Sequence, residues 1–220
     1  MKRFLNIYSI LFISILISSH VGSPGVTFEG LLGKYRVLAN INPPDFYHSP
    51  LTTLVSLENT TNKGGGACYD LDEILYIKKV CDQHGLKFHL DGARLWNALV
   101  AKNQKPTDFG HLFDTISVCL SKGLGAPIGS VLLGSKADIK RALRIRKIFG
   151  GGMRQAGILA AAGKLALTEQ VERLAEDHEN AAYLAQQLSQ LDEFDIDLAS
   201  VQTNMVFATL ASHVDEQALV

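Results

Sequence analysis

Cysteine is scarce in this 220-residue sequence, and what there is cannot be paired off. Cys68, Cys81 and Cys119 are odd in number and lack C-x-x-C spacing. That excludes a disulfide framework and the usual zinc-ligand patterns, and a reduced interior suits these thiols best. Excess charge is missing too: 21 Lys and Arg against 22 Asp and Glu leave a formal net charge of −1. With no basic stripe there is no electrostatic case for nucleic acid. Neither an internal repeat nor a low-complexity segment is present, which argues against repeat arrays and disordered tracts. Long apolar runs are confined to "MKRFLNIYSILFISILISSH", with two early positive charges and then a charge-free stretch. This is the shape of a secretory signal and is too short for a stable membrane span. Read literally it predicts export, but a misassigned or fused start on a cytosolic chain is the preferred reading.

What is there is ordinary globular material, 47% hydrophobic and 20% charged. Residues from about Gly22 to Pro50 are irregular, with Pro24, Pro43, Pro44 and Pro50 interrupting any periodicity. "TTLVSLEN" then predicts a buried strand and "TNKGGGACYD" a loop. "LDEILYIKKVCDQHG" predicts a helix with Leu71, Ile74, Leu75, Lys78 and Cys81 near one face, Asp70 as N-cap and Gly85 just past the end. "LKFHLD" predicts a strand, "ARLWNALVAK" a helix, "TISVCL" and "IGSVLLG" strands, and "KADIKRALRIRKIF" an amphipathic helix. One long helical region is expected from the Gly150-Gly151-Gly152 break towards Leu191, followed by strands over "DIDLAS" and "NMVFATL". The alternation argues for an α/β fold with a mainly parallel sheet covered by helices.

In open α/β sheets ligands sit beyond the carboxyl ends of the strands. Two predicted strands end there in ionisable groups, "FHLD" in Asp91 and "SVCLS" beside Lys122. A carboxylate and an amine delivered to one crevice suit pyridoxal phosphate, whose aldehyde condenses with a lysine and whose pyridine nitrogen needs an acidic partner. The same pair would also serve as a buried salt bridge. Arg94, in the "GAR" after Asp91, is expected one helical turn further on, where it can clamp a carboxylate. In "GGGMRQAG" a helix N-terminus and Arg154 offer an anion site, a hinge between subdomains being the plainer alternative, and Lys147 is one more cation on a helix face. "SKGLGAPIGS" is no nucleotide-binding loop, because Lys122 precedes its glycines. His89 and Asp91 share a strand face but lack a third ligand, so no metal site is expected. His84, His111, His178 and His213 read as surface or helix-end residues. Asn59-Thr60-Thr61 fits the N-glycosylation triplet.

"ENTTNKGGG", "HLDGARLWNA", "CLSKGLGAPIGSVLLG" and "RKIFGGGMRQAG", in this order, closely resemble the low-specificity threonine aldolases. These belong to the β-eliminating lyase group of fold-type I pyridoxal-phosphate enzymes, and the resemblance covers roughly His48 to Val220. It implies that Lys122 is the Schiff-base lysine, Asp91 the pyridinium partner and Arg94 the holder of the substrate carboxylate. It further implies that His48 lies near the substrate hydroxyl, that Lys147 and Arg154 are cations around the cofactor and a subunit interface, and that Glu58-Asn59-Thr60 lines the site. The implied reaction cleaves threonine or allo-threonine to glycine and acetaldehyde, in a cytosolic homo-oligomer, dimer or tetramer. A catalytically silent remnant of that fold, or a lyase acting on other β-hydroxy amino acids such as phenylserine, are the alternatives.

The resemblance also implies an upstream segment carrying a phosphate-binding loop and a ring-stacking histidine, which nothing in residues 1 to 40 matches. The expectation is therefore a chain with the lysine-bearing half of the site and without the phosphate cup. The expected divisions are a signal-like or misassigned start over 1–21 and an irregular joining segment over 22–47. A partial cofactor-binding large domain over 48–150 follows, then a connecting helix and the start of a smaller C-terminal α/β domain over 151–220.

Overall fold

The computed structural model describes residues 37–214. The signal-like stretch expected over 1–21 lies outside the described residues. Three short strands, β1 (Leu54–Glu58), β2 (Lys87–Gly92) and β3 (Thr115–Cys119), pair in parallel in that order, and β4 (Ser130–Gly134) adds antiparallel to β3. The sheet is thus mainly parallel, as the strand–helix alternation predicts. In β2 and β3 alternate residues point to opposite faces. Phe88, Leu90, Ile116 and Val118 are buried on one face, while His89, Asp91, Thr115 and Ser117 are only half-buried on the other.

The apolar face is covered by α1 (Leu71–Gln83), which buries Ile74, Ile77, Val80 and Cys81. The buried face is therefore rotated from the expected one: Leu71 and Leu75 are at its edge, and Lys78 sits at the rim, paired with Asp82. Asp70 is the N-cap as expected. The Glu73 carboxylate accepts from its amide at 3.3 Å, and the Asp70 carboxylate takes Lys102 at 2.9 Å. Two short helices complete the layer, α2 (Leu95–Ala101) and α3 (Pro106–Gly110). The second escapes a periodicity reading because it is barely one turn, yet it places Phe109 fully in the core. Phe88 is also fully buried, with its ring 4.3 Å from that of Phe113.

After β4 come α4 (Lys136–Ile148), α5 (Gly157–Glu169) and α6 (Leu174–Leu188). The long helical region expected towards Leu191 is thus two helices. Ala166 of α5 and Leu174 of α6 pack in one apolar cluster, but in a single straight helix they would lie about 80° apart around the axis. The break lets both reach it.

Two strand expectations at the end of the chain shrink to β5 (Phe194–Asp195) and β6 (Thr209–Leu210), an antiparallel pair. "DIDLAS" turns instead, because the Asp197 carboxylate accepts from the Ala199 amide at 3.0 Å and starts a 3-10 turn. Upstream of β6, Thr203 is buried and donates to the Gly66 carbonyl at 2.9 Å, and Gln202 accepts from the Cys68 amide at 3.0 Å. That segment is docked on the glycine loop after β1 rather than on a strand. No helix among the described residues is long and apolar enough to cross a membrane.

Replacing Phe88 by alanine is expected to lower the unfolding free energy by about 3–5 kcal/mol, the usual cost of deleting a core aromatic ring. Replacing Leu143, half-exposed on α4, should change it by no more than about 0.5 kcal/mol. Urea denaturation of both variants checks the assignment of the core, and similar losses in the two would refute it.

Candidate active site

Parallel pairing sets Glu58, Asp91 and Ser117 side by side at the carboxyl edge of β1, β2 and β3. Just past that edge, the ten residues Leu120–Gly129 join β3 to the antiparallel β4. This connection has two sides. Leu120, Leu124 and Ala126 are buried against Ala166 and Leu174, with Trp96 and Val100 alongside. Ser121, Lys122, Gly125 and Pro127 are exposed. The backbone is closed by three bonds: Leu120 N to Gly129 O at 3.0 Å, Ala126 N to Leu120 O at 3.0 Å and Gly125 N to Lys122 O at 2.8 Å. Each leucine buried beneath the loop contributes roughly 1.5–3 kcal/mol, against about 1 kcal/mol for one loop hydrogen bond. The apolar underside pins the loop, and the Lys122 side chain is left facing solvent. That side chain makes no ion pair among the described residues.

Asp91 is half-buried on the polar face of the sheet. One of its carboxylate oxygens, Oδ1, accepts from the Ala93 amide at 3.1 Å. Its backbone carbonyl takes the Asn59 amide at 3.0 Å, which fixes the end of β1 against that of β2. Arg94 is the N-cap of α2, three residues past Asp91. The chain turns at Ala93 and Arg94, directly after β2, and the arginine is half-buried and outside any ion pair among the described residues.

Asn59 and Thr60 follow β1 directly and are fully buried, yet the Asn59 Nδ2 and Thr60 Oγ1 atoms have no hydrogen-bond partner. Buried polar groups without partners are uncommon and point to a missing ligand or water. An accessible amine, a carboxylate with an uncommitted oxygen, a cation and two orphaned donors at one edge fit a polar, planar, amine-reactive group such as pyridoxal phosphate. Asn59 is closed to glycosylation in the folded protein, because its side chain is buried and its Oδ1 takes the Tyr69 amide at 3.3 Å.

The remaining expected residues are placed differently. The "GGG" break is not a helix N-terminus. Gly150, at φ 82°, follows the C-cap Phe149, and the amides of Gly150 and Gly151 donate to the carbonyls of Lys147 at 3.2 Å and Arg146 at 2.9 Å. These donors close the end of α4 and are not free for an anion. Lys147 lies along Gly152, where an added Cβ would come 2.7 Å from its Cδ. Arg154 is exposed between that cap and α5. His48 is exposed on the segment entering β1 from its amino end, with Tyr47 at 3.9 Å and Phe46 at 5.5 Å between ring centroids. No hydrogen bond, ion pair or ring contact joins these three residues to Asp91 or Lys122 among the described residues.

Four residues make contacts that the sequence reading does not give. His89 is held on the polar face by the Thr115 hydroxyl at 2.8 Å, and burial pushes its pKa down against the pull of Asp91 and Thr115. His178 lies near the start of α6, as a helix-end reading expects, but it is not a free surface residue. It is half-buried in α6, its Nε2 3.2 Å from Nδ2 of the buried Asn97 in α2. Burial lowers its pKa too, with Asp177 opposing. Arg173, at the N-cap of α6, reaches the Gly123 carbonyl at 3.5 Å. Asn97, a polar residue within "LWNALVA", is the one sequence signal that marks this cluster. The thiols stay bland: burial raises Cys68 to about 11 and Cys81 to about 12.

Known proteins resemble this chain in sequence and in fold. The profile of the family described as "Beta-eliminating lyase" matches residues 19–211. Low-specificity L-threonine aldolase 1 of Arabidopsis thaliana is 44% identical over 182 residues, which are 81% of this chain and 50% of that protein. The chain spans about half the length of the curated relatives it matches. Among solved structures, a threonine aldolase of Leishmania major superposes with a TM-score of 0.66 at 23% identity, covering 79% of this chain and 51% of that one. A PLP-dependent aminotransferase of Streptococcus suis gives 0.56 at 15%, covering 78% and 46%. Both show the fold, that of the fold-type I pyridoxal-phosphate enzymes.

His89 and His178 both have pKa values held below the ordinary 6.5 in the folded chain. The unfolded chain therefore binds more protons as pH falls, so their contribution to stability is complete above pH 6.5 and is lost as pH drops through their folded values. Urea midpoints measured from pH 7.5 to 5.5 should fall, and should fall less steeply in a His89→Gln/His178→Gln double variant. Equal slopes in the two proteins would show that other groups carry the dependence.

Proposed function

The chain belongs to the beta-eliminating lyase family, and from that premise we propose that it carries the lysine-bearing half of a pyridoxal-phosphate site that cleaves threonine or allo-threonine to glycine and acetaldehyde. The observation behind this reading is the delivery of Asp91 and the exposed Lys122 to one sheet edge by adjacent strands. The names of the relatives, low-specificity threonine aldolases at 44% identity, support the substrate class. When bound, pyridoxal phosphate supplies an aldehyde that condenses with an amine and a ring that accepts the electron pair of the broken Cα–Cβ bond.

The protein's own groups divide the remaining work. Lys122 offers its Nζ from an anchored loop, so the amine is reachable while its backbone stays put. Asp91 keeps a proton on the pyridine nitrogen, because a carboxylate next to that nitrogen favours its charged form. Arg94 holds the substrate carboxylate through paired N–H donors. Asn59 Nδ2 and Thr60 Oγ1, buried without partners beside the end of β1, are donors that a group bound at this edge would satisfy. His48, or a water, takes the proton of the substrate hydroxyl, and Lys147 and Arg154 supply positive charge around the cofactor and a subunit interface. A homo-oligomer in the cytosol is the form this reading implies.

Incubation with pyridoxal phosphate, borohydride reduction and peptide mass spectrometry should yield one pyridoxyl adduct, on Lys122, that is lost in Lys122→Ala. Asp91→Asn should keep the adduct and lower glycine formation from threonine by roughly 100-fold or more, the size usual for a proton-holding group. Adducts scattered over many lysines, or an unchanged adduct pattern in Lys122→Ala, would overturn the reading.

A further inference from the structure

The loop that carries Lys122 is held from below by its leucines, but one bond in it is held from the side. The Gly123 carbonyl, one residue past the lysine, accepts from Arg173 Nη2 at 3.5 Å. Arg173 is itself locked: its Nε donates to Gln170 Oε1 at 2.8 Å, and its Nη1 and Nη2 reach the two Asp177 oxygens at 3.1 and 3.4 Å. Its charge is answered by Asp177, and by Glu176 at 4.0 Å. It therefore brings no free cation to the edge, only direction. Gly123 has no side chain to keep its neighbours away. An added Cβ would meet Leu174 Cδ2 at 2.7 Å and the Asn97 amide at 3.6 to 3.8 Å.

Asn97 links this point to the other half of the edge. It sits in the first turn of α2, where its amide donates to the carbonyl of Arg94 at 3.1 Å. Its side chain faces His178 Nε2 at 3.2 Å. Burial favours the neutral imidazole of His178, whose Nε2 can accept from Asn97 Nδ2. Arg173, Leu174, Asp177 and His178 fall within the first five positions of α6 and its cap. One turn of one helix thus touches both the loop of Lys122 and the helix capped by Arg94.

We propose that Arg173, Asn97 and His178 are positioning residues, which fix the Gly123 peptide and the start of α2 and so set the approach of the Lys122 amine relative to Arg94. The clamp acts through Lys122 and does not touch substrate or cofactor. Its catalytic meaning rests on the function proposed above, whereas its physical action does not. The loop keeps its leucine anchors and its three backbone bonds without the clamp, so removing it should loosen the loop without unfolding the protein.

Hydrogen–deuterium exchange of the full chain without cofactor tests this directly. In Arg173→Ala, peptides spanning Val118–Ile128 should exchange about threefold faster, the scale of one long hydrogen bond, while peptides from β1 and α1 keep their rates. Arg173→Lys should restore part of the protection, and Asn97→Ala should speed exchange at both the loop and the start of α2. With pyridoxal phosphate, borohydride trapping at Lys122 should slow in Arg173→Ala and recover in part in Arg173→Lys. Loop exchange that rises only in step with β1 and α1, or not at all, would overturn the clamp. No Lys122 adduct in the unaltered chain would instead overturn the functional reading, leaving the exchange result to decide the clamp alone.

Discussion

Parallel strands that lie side by side must bring all their carboxyl ends to one edge of the sheet, because each is reached by a crossover from the far side. Here that rule sets Glu58 against Asp91 and Asp91 against Ser117. Everything at the candidate site follows from it. Alternation along β2 and β3 turns Phe88, Leu90, Ile116 and Val118 to the core, which leaves His89 and Asp91 on the opposite, half-open face. A one-residue slip would exchange the two sets, burying Asp91 in an apolar layer. The apolar side of the sheet therefore holds the polar side in place, and the acidity of the edge is a by-product of the core.

A second constraint comes from the reversal at β4. Because β4 runs antiparallel to β3, the chain must turn back at the same edge, and the ten residues that do so carry Lys122. A turn of that length is free to wander unless something holds it. Leu120, Leu124 and Ala126 point inward to Ala166 and Leu174, so the outward residues between them are presented in a fixed order. Close approach of α5 helps, since a Cβ on Gly163 would lie 2.9 Å from Leu120. Lys122 is thereby exposed without being loose, a combination that a surface loop alone would not provide.

Glycine shows how the same residue type serves opposite purposes in this chain. After Lys122, Gly123 lets Leu174 and Asn97 close on the backbone. In the run Gly150-Gly151-Gly152 the first two amides are spent on the last carbonyls of α4, so the helix start within that motif falls later, at Gly157. A run of glycines before a helical pattern reads equally well as the end of one helix or the start of the next. Only the hydrogen-bond partners distinguish the two.

Local chemistry was legible wherever neighbours in sequence decide it: the strand β1 from its apolar, β-branched run, the Asp70 cap and the Gly85 stop of α1, and the ends of β2 and β3 at Asp91 and near Lys122. The break between α5 and α6, the loss of a strand at Asp197 and the docking of Thr203 on Gly66 were not, because partners distant in sequence outweigh the local preference there. His178 looked like a surface histidine and proved to face Asn97, 81 residues away. The sequence by itself determined which residues carry an amine, a carboxylate and a guanidinium next to strand ends, since strand periodicity and end signals are local. The tertiary structure alone decided which of them share one edge, which faces are polar, and what holds the Lys122 loop, because register and packing join residues that the chain keeps apart.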